Sequence, residues 1–164
     1  LEKKSVLRAS FSRHNENPQR FIFANFWTGS NPTHREEIKK IARSKDYITW
    51  KEPMVPEGQY ASYSAFVSDI LNHQAVLCPQ GNGRGDNHRI YETLYCNRVP
   101  IVFNQSQYET LYKEWPVVLI EKTADLEDED WLRDSIREAK NKNNTKSLDF
   151  QYWKKKILRD AESL

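Results

Sequence analysis

The sequence predicts one α/β domain built as a Rossmann-like, doubly wound parallel sheet. Three observations carry that expectation. Short apolar runs alternate with stretches of helical periodicity between residues 21 and 120, the order that lays helices over both faces of parallel strands. Ala75-Val-Leu-Cys78 and Val117-Val-Leu-Ile120 are nearly continuous apolar runs, as expected of strands covered on both sides. The length, 164 residues, suits a single domain with a core of its own.

Along the chain, residues 1–20 read as an edge segment and loop, in which 5–11 can supply an edge strand. Phe21-Ile-Phe-Ala-Asn-Phe-Trp27 is a strand by its aromatic and β-branched content. Thr28-Gly-Ser-Asn-Pro-Thr33 is turn chemistry ending at a helix N-cap on Thr33, with Glu36 at the capping-box spacing. The helix expected over 34–44 puts Ile38, Ile41 and Ala42 on one face. A short strand at 47–50 precedes a loop broken by Pro53 and Pro56. Residues 60–72 carry Tyr63, Phe66, Val67, Ile70 and Leu71 at helical spacing. Then come a strand at 74–78, a glycine-rich loop at 79–87, a helix at 88–97 and a strand at 99–103. A helix at 105–114, a strand at 116–120 and an acidic-start helix at 128–141 follow. The domain proper covers 21–147, and a last helix from 148, with Phe150, Trp153, Ile157 and Leu158, packs on it.

Composition narrows the function classes. With 38% hydrophobic and 12% aromatic residues the chain can build a core, and disorder is excluded. A formal charge of +2, with both signs interspersed, argues against a nucleic-acid binder. Cys78 and Cys96 are too few for a disulfide framework and read as buried thiols. No apolar run reaches the ~18 residues of a transmembrane helix, and the start lacks a signal-peptide pattern. Since the chain opens on Leu1, it is expected to be an excised piece. No His, Asp and Cys stand at metal-ligand spacing, and Asp128-Glu-Asp130 opens a helix instead of lying in a strand-end loop. Neither a metal nor another cofactor is expected.

The segment Cys78-Pro-Gln-Gly-Asn-Gly-Arg-Gly-Asp-Asn-His-Arg-Ile-Tyr-Glu92 concentrates the chemistry. It is a strand-loop-helix passage at the carboxyl end of a strand, where open α/β sheets bind ligands. Gly81, Gly83 and Gly85 permit positive φ and close backbone approach. The helix start offers N–H groups and partial positive charge to an anion. Arg89 lies in its first turn, where a guanidinium can fork onto two phosphate oxygens, and Glu92 follows one turn later, within reach of sugar hydroxyls. The bland alternative is an ordinary i,i+3 surface pair. Lack of Gly-Lys-Ser/Thr excludes a P-loop, and Gly81-Asn-Gly-Arg-Gly departs from the dinucleotide fingerprint.

The pattern Val76-Leu-Cys-Pro-x-Gly-Asn-Gly, then Asp-x-His-Arg-x-Tyr-Glu-x-Leu-Tyr and Val-Pro-Ile-Val-Phe103 resembles the donor-binding half of GT-B glycosyltransferases, especially exostosin-like and related polysaccharide-forming types. Looser similarity covers Phe23-Ala-Asn-Phe26, Asn31-Pro-Thr-His-Arg35 and Tyr152-Trp153. Thr93 stands where that group carries Ala, and Cys96-Asn97-Arg98 replaces its small-Gly-small turn. The resemblance implies that Arg89 holds the diphosphate of a nucleotide sugar, Glu92 the ribose hydroxyls, and Gly81, Asn82 and Gly83 the pyrophosphate. It implies metal-independent glycosyl transfer to a glycan acceptor carried by a second domain or chain.

Secondary candidates surround that loop. Arg35 starts the helix after the first strand and can reach the same crevice or be an ordinary first-turn arginine. Thr28 and Asn25 are weaker candidates, and His88 can donate to phosphate or sugar or only shape its helix start. Asp86 and Asn87 compete for the N-cap of that helix. Arg98 is either a second cation or a solvated side chain, with the latter favoured; His73 is read as structural. Trp27 and Trp50 belong to the core rim or stack on sugar. The alternatives to a donor domain are a non-catalytic nucleotide- or glycan-binding module of the same fold and a phosphosugar-processing enzyme. No convincing catalytic acid or nucleophile supports the last.

Overall fold

The computed structural model describes residues 17–53, 62–82, 87–104 and 109–142, with positions 148, 149, 152, 155 and 159. The expected edge strand at 5–11, Gly83, Gly85, Asp86, Trp153 and most of the last helix lie outside the described residues.

Five strands form one all-parallel sheet: β1 (Arg20–Ala24), β2 (Ile48–Trp50), β3 (His73–Leu77), β4 (Val99–Phe103) and β5 (Val118–Ile120). Their order is β2-β1-β3-β4-β5. In register, Ile22 faces Ile48 on one side and Ala75 on the other, so β1 is central. The helices are α1 (Pro32–Ser44), α2 (Tyr63–Leu71), α3 (His88–Tyr95), α4 (Glu109–Lys113) and α5 (Glu129–Lys142). This is the doubly wound α/β domain that the alternating pattern predicts.

Strand alternation sorts the core into two clusters. On one face Ile22, Ala24, Ala75, Leu77, Ile101 and Ile120 pack against α1 through Ile38 and Ala42, and against α5 through Leu132, Ile136 and Ala139. On the other, Phe23, Val76 and Val102 meet Phe66, Val67, Ile70 and Leu71 of α2, Ile90 and Leu94 of α3, and Tyr112 of α4. Fully burying one such aliphatic side chain contributes about 1.5–3 kcal/mol, so each helix is fixed mainly by its apolar stripe. Leu148 also packs against the second cluster, and its carbonyl accepts from the Tyr95 hydroxyl at 3.3 Å.

Several boundaries differ from expectation for local reasons. β1 stops at Ala24 instead of Trp27: Lys51 N–H bonds the Ala24 carbonyl at 3.0 Å, then the Asn25 amide turns to the Lys51 carbonyl at 2.9 Å. α1 begins at Pro32, with Asn31 as N-cap and no side-chain capping bond, so the Thr33 capping box is not formed. Proline at N1 has no N–H to leave orphaned and its fixed φ already suits the first turn. A 3-10 turn, Thr123–Glu127, was not anticipated; the Asp125 carboxylate accepts from the N–H groups of Glu121 at 2.9 Å and Lys122 at 3.0 Å. α3 ends in Asn97 at φ 53°, the left-handed position a helix C-terminus favours, which Asn tolerates better than most residues.

Arg98 corrects the sequence reading. It is 4% exposed, neither solvated nor near the carboxyl ends of the strands. Nε and Nη2 donate to the Leu71 carbonyl at 3.2 and 2.8 Å, and Nη1 to the Asn97 carbonyl at 3.0 Å. It ties the end of α2 to the entry of β4.

Candidate functional site

The strand order places a topological switch between β1 and β3. The helix that follows β1 packs on one face and the helix that follows β3 on the other. Loops leaving the two neighbouring strand ends therefore diverge, and a crevice opens there, where doubly wound sheets receive ligands.

From the β3 side comes Arg89, in the first turn of α3. Asn87 wins the N-cap: its side-chain oxygen accepts the Arg89 N–H at 3.1 Å, and its carbonyl accepts the Ile90 N–H at 3.1 Å. Two of the helix's first three N–H groups are thus taken internally. The helix start presents chiefly its dipole field to an anion. The half-buried Arg89 guanidinium lies 4.9 Å from the centre of the Phe66 ring and donates weakly to Asn25 Oδ1 at 3.5 Å. Asn25 itself is 4% exposed and is anchored on Lys51 by its amide. A cation over an aromatic face gains about 0.5–2 kcal/mol. Phe66 and Asn25 thereby aim the group.

Arg35 reaches the crevice from α1 and spends its donors on the backbone. Nε donates to the Gln80 carbonyl at 2.7 Å, Nη2 to Pro79 at 2.8 Å and Nη1 to Trp27 at 2.7 Å. Burial first, then the positive charge of Arg89, lowers its pKa to about 10. Two guanidinium groups therefore face the same strand ends, one aimed by side chains and one tied to carbonyls.

Gly81 sits against that second cation. A Cβ there would meet Arg35 Nη2 at 3.5 Å and Ser30 Oγ at 4.0 Å, which is ordinary contact. A Cβ would therefore fit, and the φ is outside the left-handed region, so the positive-φ expectation does not hold at this glycine. Asn82 and His88 are exposed, and Thr28 opens the 3-10 turn Thr28–Ser30, its carbonyl accepting from Asn31 N–H at 3.1 Å. Gly29 does carry a steric demand: a Cβ would fall 2.3 Å from the Trp27 ring. Trp27 is 51% exposed at this rim, whereas Trp50 packs edge-on against Phe26 at 5.0 Å and belongs to the core.

Glu92 is half-buried and accepts a hydrogen bond from the Tyr63 hydroxyl at 3.0 Å. Burial, then the Glu92 carboxylate, raises the Tyr63 pKa, so the phenol stays a donor and Glu92 an acceptor. Thr93 is fully buried, its hydroxyl donating to the Arg89 carbonyl at 2.7 Å. Cys78 ends the β3 run fully enclosed; burial pushes its thiol up to about 12. A thiol held protonated is no nucleophile. Among the described residues no three of His, Cys, Asp and Glu cluster as metal ligands, and no helix is long and apolar enough to cross a membrane.

No protein-family model and no curated protein matches this chain. The site must be argued from its own geometry.

That geometry brings together Arg89, Arg35, Gly81 and Asn25, with Glu92 one turn along α3. The sequence reading placed Tyr63 and Phe66 only at helical spacing within 60–72 and did not single them out for the site. Their i,i+3 spacing at the start of α2 was a usable signal, because that end of the helix lies at the carboxyl edge of the sheet.

Proposed function

We propose that this domain binds the nucleotide diphosphate of a nucleotide sugar and serves as the donor half of a glycosyltransferase. The observation that carries the reading is the convergence of two guanidinium groups, Arg89 and Arg35, on the β1/β3 switch point, with no carboxylate among the described residues bonded to Arg35. Like charges held together in a partly buried crevice favour an anion between or above them. A diphosphate carries that charge, and Glu92, oriented by Tyr63, supplies the acceptor that ribose hydroxyls need.

In glycosyl transfer the bond from the anomeric carbon to the diphosphate oxygen breaks, and negative charge grows on the departing diphosphate. A fixed cation at that oxygen stabilises the transition state more than the ground state. Arg89 is placed for this role by the Phe66 face, the Asn87 cap and the Thr93 bond to its carbonyl. The acceptor and the base that activates it belong to a second domain or chain, so the isolated domain is expected to bind nucleotide and transfer little sugar. The resemblance of residues 74–103 to GT-B donor domains supports the same assignment.

The test is titration of the domain with UDP, GDP and CMP, wild type against Arg89→Ala. Saturable binding to one nucleoside diphosphate, weakened at least about tenfold by the substitution, is expected. Failure of every nucleotide to bind refutes the reading.

A further inference from the structure

The Arg35 side chain crosses from one rim of the crevice to the other. Trp27 belongs to the segment leaving β1, and Pro79 and Gln80 to the loop leaving β3, 44 and 45 positions away in sequence. One planar guanidinium bonds all three carbonyls at 2.7–2.8 Å. A Cβ added at Gly81, the next residue, would come to 3.5 Å from Nη2 and 4.0 Å from Ser30 Oγ. Ser30 Oγ also donates to the Trp27 carbonyl at 3.3 Å. The two loops therefore have a common fastener in the side chain of a third element, α1.

Resting on the donor-binding reading above, we infer that Arg35 is a positioning residue: it sets the spacing of the β1 and β3 loops so that the anion meets Arg89, without touching the ligand itself. The hydrogen-bond pattern supports this role: the Nε–Nη2 edge, which would fork onto a phosphate, is taken by the Gln80 and Pro79 carbonyls. A guanidinium has five N–H donors in a fixed fork. Three of the five, including Nε, are directed to carbonyls. Its charge still counts, because the positive charge of Arg89 helps lower the Arg35 pKa, and each guanidinium raises the local potential for an anion. Geometry and field thus come from one group, and only the field survives replacement by lysine. A lysine ammonium is a compact point charge on a flexible stem and cannot reproduce the planar three-way fork.

The experiment compares wild type, Arg35→Lys and Arg35→Ala in three measurements: pyrophosphate and UDP affinity, thermal midpoint, and hydrogen exchange at the Gln80, Gly81 and Asn82 amides. Faster exchange at those amides is expected in both variants, with affinity for each probe weakened about tenfold or more even in Arg35→Lys. Methylguanidinium added to Arg35→Ala should restore part of the affinity, and methylammonium should not. A uniform loss of fold would leave nothing for methylguanidinium to rescue, so rescue separates positioning from general stability. Full affinity in Arg35→Lys overturns the fastener and leaves Arg35 as a charge alone. Unchanged exchange in both variants overturns it as well. Failure of pyrophosphate to bind the wild type refutes the donor-binding reading instead, and with it the anion side of this inference; the loop-fastening side then stands or falls on the exchange result.

Discussion

Replacing Arg98 with methionine tests whether a buried cation bonded to backbone carbonyls stabilises this fold. Methionine keeps much of the stem and removes every donor. The Leu71 carbonyl, which ends α2, then loses both its bonds from Nε and Nη2, and the Asn97 carbonyl loses its bond from Nη1. Helix-end carbonyls have no intrahelical partner to fall back on. The buried Leu71 acceptor left unsatisfied costs about 1–3 kcal/mol, and the bond lost at Asn97, an exposed residue whose carbonyl can turn to water, adds about 0.5–1.5 kcal/mol, a range of about 1.5–4.5 kcal/mol. Two effects pull the value down. The guanidinium no longer has to be desolvated, and Lys140, whose pKa is lowered by desolvation and then by Arg98, loses a like-charged neighbour. The expected loss is therefore at the low end, about 2–3 kcal/mol, or a fall in thermal midpoint of about 5–10 °C for a domain of this size. Urea unfolding followed by tryptophan fluorescence and far-UV circular dichroism measures it, with the midpoint falling and the slope unchanged. A loss below about 0.5 kcal/mol, the usual effect of a surface change, refutes the reasoning and returns Arg98 to the solvent.

Tyr63→Phe removes the phenol that donates to Glu92; UDP affinity is expected to drop about 3–10-fold while pyrophosphate affinity holds, as paired titrations will show. Cys78, enclosed and with its thiol at about 12, should resist iodoacetamide at pH 8 in the folded protein and react once urea unfolds it, a contrast read by mass spectrometry. His34 and His73 both have pKa values lowered by burial. The unfolded chain then takes up protons first as pH falls, so stability is full above about pH 6.5 and declines below it until the folded pKa values are passed. Denaturation midpoints at pH 7.5 and 5.5 will show the decline, and the combined change His34→Gln with His73→Gln should flatten it.

How much was readable in advance follows from the range of each interaction. Strand β4, at Val99–Phe103, was placed to the residue, because its apolar run is bounded by a helix end and by polar sequence. The apolar stripe of α1 was legible in Ile38 and Ala42. The N-cap of that helix was misjudged because two local rules competed, and the fixed φ of Pro32 prevailed over the Thr33–Glu36 pattern. Arg89 and Glu92 could be singled out from the loop before them. The part played by Arg35 could not, since its bonds span more than forty positions and involve carbonyls that no side-chain pattern encodes. Arg98 was misread for the same reason: its partner, Leu71, lies 27 residues earlier.

The central place of β1 has a consequence for how the chain is made. It is the first described strand to leave the ribosome, and it pairs at once with β2 on one side through Ile22, Phe23 and Ala24. Its other edge waits until β3, which begins at His73, has been synthesised. During that interval the nascent chain shows an open row of backbone groups flanked by Phe21, Ile22 and Phe23, the kind of edge that recruits another strand. The same insertion that shields this edge brings Pro79, Gln80 and Arg89 up to Asn25 and Arg35. Completion of the crevice and loss of the sticky edge are one event, so a nascent chain with Arg35 and Arg89 both in place is also one that has passed its most aggregation-prone stage.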